Sequence, residues 1–334
     1  MPDRQQEGCR LARDTTPRNP RIHAAAIHYF DAVRRAGSIR EAARRLNIAS
    51  SAVNRQILKL EAEIGSPLFE RLPGGLRLTA AGEVLARHVL TVLRDVERVR
   101  SDLDALEGLR AGHVELVTLE GCCHRIVPAA IAALHERHPR ISIGARLLES
   151  AAIPAAILTG EAHLGLAFEV RRRPELRQLS TVPLPLGLVV RRDSPLAGKP
   201  FATLRDCAGL PLVLPRENFA NRDQLQPLLF QAGLSLQGQV EAGSIELMRQ
   251  LVLCGLGVAF MTRVGLEAEL EAGRLAHVPL RHGNRPVTSE LGLYAGAGQA
   301  HSGAVEAFAR QIVAQLGLCV YGADESCYEE PPGK

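Results

Sequence analysis

Two groups of side chains in this chain have the types and spacing to do chemistry. The first lies early: Ser38, Arg40, Ser50, Ser51, Asn54, Arg55, Lys59, Arg71 and Arg77 set short hydroxyls and an amide among long cations. Short polar side chains read base edges, and longer cations reach phosphates. The second begins in the segment TLEGCCH, with Thr118, Glu120, Cys122 and His124, and is joined further on by Phe168, Glu169, Asn218, Ser244 and Thr262. These are groups that hold a small polar molecule by hydrogen bonds. Covalent and metal chemistry are not indicated. The sequence has no P-loop, no G-x-S-x-G, no H-E-x-x-H and no His/Cys metal spacing. His124, His135 and His138 read as surface residues of one helix. Cys122 and Cys123 stand near a helix start, where a thiol pKa can fall, but adjacent cysteines do not easily bridge each other, and they read as small packing residues. No cofactor and no metal are expected.

The early group must be positioned by helices. Ile27, Phe30 and Val33 make one apolar stripe, and Gly37 ends it. Ser38 and Glu41 form an S-x-x-E capping box ahead of Ile39, Ala42, Ala43 and Leu46. After a turn at residues 47–49, Val53, Ile57, Leu60 and Ile64 form the inner stripe of a third helix, with the polar group on its other faces. Ala49 is a poor N-cap, so Ser50 is expected to take that place. Pro73-Gly74-Gly75 between short apolar runs reads as a hairpin flanked by Arg71 and Arg77. This order of elements is the plan of a winged helix-turn-helix that enters double-stranded DNA.

The segment FDAVRRAGSIREAARRLNIASSAVNRQILKLEAEIGSPLFERLPGGLRLTAAGE closely resembles the N-terminal signature of LysR-type transcriptional regulators. Phe30, Gly37-Ser38, Ala42-Ala43, Leu46, Ala52-Val53, Gln56-Ile57, Leu60-Glu61, Gly65, Leu68-Phe69, Arg71, Leu78-Thr79 and Ala81-Gly82 carry it in register. The chain departs from the family at Ala49 and Ser50, where Ser then Gln is usual, and at Asn54, where Ser is usual. The resemblance implies a two-lobed effector domain like a periplasmic binding protein, a dimer or tetramer, contact with RNA polymerase, and an effector held by the loop after that domain's first strand.

Behind the hairpin, Thr79 can cap a long helix without proline. Leu85, Val89, Val92, Val96, Val99, Leu103 and Leu106 follow at spacings of 4, 3, 4, 3, 4 and 3, the period of a coiled-coil seam, and predict dimerisation. The same pattern also suits a helix packed on its own domain.

From Val114 strands and helices alternate, which predicts parallel sheets with helices on both faces. Strands are expected at 114–118, 141–147, 164–168, 186–190, 212–214, 237–241, 258–261 and 277–280, with a last strand and helix over 289–294 and 303–316. Ligands of such sheets bind at the carboxyl ends of strands, which is where the second group of residues falls. Glu120 in the first of these loops points to a ligand with an amine or another donor rather than a bare carboxylate.

The fold class is therefore α/β overall, with an all-α winged helix-turn-helix, a linker helix and a two-lobed α/β effector domain. The expected boundaries are a disordered arm at 1–21, the DNA-binding domain at 22–79, the linker and hinge at 80–112, the effector domain at 113–318 and a flexible tail at 319–334. Lobe I is expected at 113–170 and 286–318, and lobe II at 177–280. Residues 1–112 hold 19 Arg/Lys against 14 Asp/Glu, a net +5, whereas residues 113–334 hold 21 against 22, a net −1. The positive excess sits where phosphates would be met. No apolar run is long enough to span a membrane, no secretory signal is present, and seven scattered cysteines suit a reducing cytoplasm. Two other readings stand beside the regulator. One is an enzyme with an accessory DNA-binding head, against which the missing catalytic motifs speak. The other is a sequence-tolerant architectural DNA binder, which does not need a two-lobed pocket.

Overall fold

The computed structural model describes residues 25–106, 112–216, 220–231, 240–297 and 301–321. The arm 1–21, Gly108, Asn218 and the tail beyond Tyr321 lie outside the described residues. The chain divides into two compact units, Met1–Leu93 and Arg94–Lys334.

In the first unit, α1 (Ala26–Ala36), α2 (Ile39–Leu46) and α3 (Ser50–Ile64) pack around Phe30, Val33, Ala42, Ala43, Val53, Ile57 and Leu60, all buried. The small pair Ala42-Ala43 lets α2 sit close to its neighbours. Gly37 and Asn47 adopt left-handed backbone, φ 61° and 54°, and end α1 and α2. The hairpin β1 (Phe69–Leu72) and β2 (Gly75–Leu78) is antiparallel, with Phe69 opposite Leu78. It is pinned to the helices by backbone: Leu76 N–H donates to Gly37 O at 2.8 Å. A Cβ on Gly75 would lie 2.7 Å from that same oxygen, so only glycine fits there.

Two sequence expectations on caps are corrected. Ser38 accepts from Glu41 N–H, but the Glu41 carboxylate binds Arg44 and Arg45 instead of returning to Ser38, so only half of the capping box forms. Ala49, not Ser50, is the N-cap of α3, without a side-chain cap, because the 47–49 turn already places Ser50 in helical backbone.

The helix α4 (Ala80–Leu106) is capped by Thr79, whose Oγ1 accepts from Gly82 N–H at 3.1 Å. Its seam does not serve one purpose throughout. Leu85 and Val89 are buried in the winged-helix core and Val92 packs against it. Val96 and Val99 are 44% and 50% exposed. A heptad pattern states only that one stripe is apolar, and its first turns are covered by the chain's own domain.

The second unit holds two five-stranded sheets. Sheet one contains β3 (Gly112–Thr118), β4 (Ile141–Leu147), β5 (Leu164–Phe168), β6 (Leu176–Pro185) and β14 (Thr288–Gly296), in the order β4-β3-β5-β14-β6. Sheet two contains β7 (Gly187–Arg191), β8 (Leu212–Pro215), β9 (Val240–Ala242), β10 (Val258–Met261) and β11 (Leu275–Pro279), in the order β11-β7-β10-β8-β9. A small ribbon, β12 (Arg281–His282) with β13 (Arg285–Pro286), lies before β14. The helices are α5 (Ile126–Arg137), α6 (Ile153–Leu158), α7 (Ala220–Gln231), α8 (Ile245–Leu253), α9 (Glu267–Glu271) and α10 (Gly303–Tyr321). Single turns of 3-10 helix stand at Glu120–Cys123 and Leu204–Cys207, the second closed by a capping box between Thr203 and Asp206.

The expected return of the last strand to the first lobe is present, because β14 pairs with β5 from Leu291 opposite Phe168. The sheets are mixed rather than all parallel: β14 runs antiparallel to both neighbours, and so does β7. Lobe II does not begin at residue 177, because β6 pairs along β14 in sheet one. An edge strand with polar alternation, LRQLSTV, carries no apolar run to announce it. The two crossovers are tied together where the sheets meet: Leu186 N–H donates to Val287 O, and Leu280 N–H to Leu186 O, each at 2.9 Å.

Candidate functional site

The first candidate surface is built on α3 and the hairpin. Burial of Val53, Ile57 and Leu60 turns Ser50, Ser51, Arg55 and Lys59 outward, with Asn54 half-buried at the margin. Arg40, Arg71 and Arg77 are also exposed. Nearby arginines are neutralised: Arg34 and Arg35 pair with Asp31, and Arg44 and Arg45 with Glu41. Arg40, Arg55, Lys59, Arg71 and Arg77 have no side-chain partner among the described residues, so their charge stays available to an external anion. Ser38 sits at the N-cap of α2 and is engaged there. Glu61, which sequence reasoning left without a role, accepts from Leu68 N–H at 2.7 Å and Phe69 N–H at 3.3 Å and so fixes where the hairpin starts.

The second site is a cavity of about 370 Å³ between the sheets of the second unit. Of the expected residues, Glu120, Cys122, Phe168, Ser244 and Thr262 line it. Thr118 is buried behind that wall, with no oxygen or nitrogen partner for its hydroxyl. His124 faces a separate hollow with Arg249 and Glu267. Glu169 is taken up by structure: its carboxylate accepts from Ser289 Oγ at 3.2 Å and Glu290 N–H at 2.6 Å. Asn218 lies outside the described residues.

The structure adds Leu119, Leu147, Leu148, Glu149, Ser150, Ile245, Met261, Val264 and Ser289 to the lining. Leu147 ends β4 and residues 148–150 follow it, so the strand-end rule applied to that strand would have found them. Ser150 Oγ accepts from Phe168 N–H at 3.0 Å, which joins two of the cavity loops.

Glu120 bridges the two sheets. Its Oε1 accepts from Ser244 Oγ at 2.8 Å and its Oε2 from Ile245 N–H at 2.7 Å, at the N-terminus of α8. Both oxygens meet donors where the helix dipole favours negative charge. Close approach permits this: a Cβ on Gly121 would lie 3.1 Å from Val264 O, and one on Gly265 3.0 Å from Gly121 Cα. On the outer side Arg125 Nη1 meets Glu271 at 2.6 Å, an exposed pair that adds little.

The cavity thiol is inert. Burial pushes Cys122 up to about 12, and Cys123 is likewise raised by burial. His277 is half-buried, and desolvation lowers its pKa to about 4. Its Nε2 lies 3.0 Å from the Met261 carbonyl, which can only accept, so the neutral ring donates from Nε2 and steadies the strand that carries Met261 into the cavity.

Comparison with known proteins places both parts of the chain in one family. The model for "Bacterial regulatory helix-turn-helix protein, lysR family" matches residues 25–83, and that for "LysR substrate binding domain" matches residues 107–317. The chain belongs to the LysR family of bacterial transcriptional regulators. As a LysR-family protein it is a DNA-binding regulator with an effector domain, and the enzyme and architectural readings are set aside. It is 28% identical to the HTH-type transcriptional regulator CbbR of Rhodospirillum rubrum over 253 residues, 76% of this chain and 84% of that protein. It is 24% identical to the hydrogen peroxide-inducible genes activator of Pectobacterium carotovorum subsp. carotovorum over 255 residues, 76% of this chain and 84% of that protein. A full-length OxyR variant from Pseudomonas aeruginosa shares the fold, with a TM-score of 0.69 at 21% identity, covering 86% of this chain and 93% of that one. No helix among the described residues of this LysR-family regulator is long and apolar enough to cross a membrane.

Proposed function

We propose that this regulator binds operator DNA through the exposed face of α3 and the hairpin arginines, and that a small effector in the cavity between the sheets modulates the bend it imposes. The unpaired cations Arg55, Lys59, Arg71 and Arg77 beside groove-sized helix α3 carry the first part. Ser50, Ser51 and Asn54 are the side chains of that helix suited to base edges, and Arg40 to a flanking phosphate. For the second part, an effector must bind one arrangement of the lobes better than another, and the cavity is formed by loops from both. The chain works as a dimer through Val96 and Val99, with Leu103 and Leu106 continuing the stripe, and pairs again through the effector domains into a tetramer. It acts in the cytoplasm and meets RNA polymerase at the promoter.

A relative is named for hydrogen peroxide, but the cavity of this chain supports a non-covalent effector, since its thiol is buried and protonated. The test uses a duplex selected by the wild-type chain from a random-sequence pool. Arg55→Ala is expected to weaken binding to it and to lower the slope of log affinity against log salt by about one. Unchanged affinity and slope reject the assignment of α3.

A further inference from the structure

We infer that Glu120 is the cavity's own replacement for an effector carboxylate, so that the effector of this chain is a largely apolar molecule that carries no carboxylate or phosphate. The inference rests on reading the cavity as the effector site and specifies what that site selects.

A buried anion needs a cation, or a set of directed donors, to replace its water. None of the described residues lining the cavity is Arg, Lys or His. The one strong set of donors at the wall is the start of α8, a nine-residue helix, and it is filled from within the chain by both oxygens of Glu120. An incoming anion would thus find the donors at the start of α8 already taken by the like charge of Glu120.

The rest of the wall favours another kind of guest. Leu119, Phe168, Ile245, Met261 and Val264 offer apolar surface. Thr262 is 8% exposed, lines the cavity, and its hydroxyl has no protein partner among the described residues. An unpaired hydroxyl in an apolar wall is a point of attachment for one polar group on the ligand. An apolar body bearing a hydroxyl, an amide or an ammonium group fits this wall, whereas a carboxylate finds the strongest donors already taken by Glu120.

The experiment uses the full chain and three probes of one shape: cyclohexanecarboxylate, cyclohexylmethanol and cyclohexylmethylamine. Binding is read by thermal shift and calorimetry at matched ionic strength, for the wild type, Glu120→Ala and Glu120→Gln. Removing Glu120 frees the Ser244 hydroxyl and the Ile245 N–H. Cyclohexanecarboxylate is expected to gain about tenfold or more in affinity for Glu120→Ala over the wild type. Glu120→Gln, which keeps the shape without the charge, is expected to gain less. Absence of any gain in both variants overturns the inference, as does wild-type protein that binds the carboxylate as tightly as the alcohol. The reading of the cavity as the effector site fails on a different result: a metabolite that alters DNA binding, and whose affinity Phe168→Ala and Met261→Ala leave unchanged. That reading survives, and this inference falls, where the metabolite binds in the cavity through a carboxylate with Glu120 intact.

Discussion

The carboxylate of Glu120 and the hydroxyl of Ser244, 124 residues apart in the chain, meet at 2.8 Å and join the two sheets of the effector domain. Ser244 does two things with one oxygen. It donates to Glu120 and, as the N-cap of α8, accepts from Leu247 N–H at 3.2 Å.

Ser244→Ala removes both interactions. The expected loss is about 1–2 kcal/mol of stability, the range for an N-cap and a charge-assisted hydrogen bond. Urea unfolding of the single variants and of Ser244→Ala with Glu120→Ala measures the coupling between the pair. Additive effects of the two substitutions would show that the bond contributes nothing of its own.

His277 gives the stability of the effector domain a dependence on pH. Its folded pKa, about 4, is depressed by burial below the usual 6.5, so the unfolded chain binds the proton more readily. The stabilising contribution is complete above pH 6.5 and is lost as pH falls toward 4. Between pH 7 and 5 the loss is expected to be about 2 kcal/mol. Denaturant unfolding at the two pH values checks this. His277→Gln is expected to flatten the dependence, even at a cost at every pH, since the ring lies against Gly187. An equally steep loss in the variant assigns the effect elsewhere.

The described cysteines divide by burial. Cys122 and Cys207 are buried and held at about 12, so fewer than about one in ten thousand of either is thiolate at pH 7.5. Iodoacetamide applied to the folded chain is expected to spare both and to modify exposed Cys254. Peptide mass spectrometry before and after denaturation reads the difference. Rapid native labelling of Cys122 would mean that the cavity wall opens.

Much of this protein is legible along the chain because it depends on local order. The helices of the first unit follow from apolar stripes at helical spacing. Their ends follow from Gly37 and from Gly65, which takes a left-handed backbone that disfavours most side chains. The alternation of strand and helix from β3 to β5 and from β8 to β11 follows from periodicity, and the strand-end rule finds Glu120, Phe168, Ser244 and Thr262 without coordinates.

What the chain does not display is partnership. Val89 and Val96 occupy equivalent places in one heptad stripe, and only the packing of the first unit buries the former and leaves the latter open. The strand β6 has no apolar run, and its place in sheet one is decided by the backbone edge that β14 presents. Glu120 reads in sequence as a ligand-facing carboxylate. The tertiary fold brings it to a helix start on the other sheet, where two donors and a dipole satisfy it. Local propensity acts over one turn of helix or one pair of residues, whereas the charge that a cavity offers its ligand is the sum of groups from loops more than a hundred residues apart.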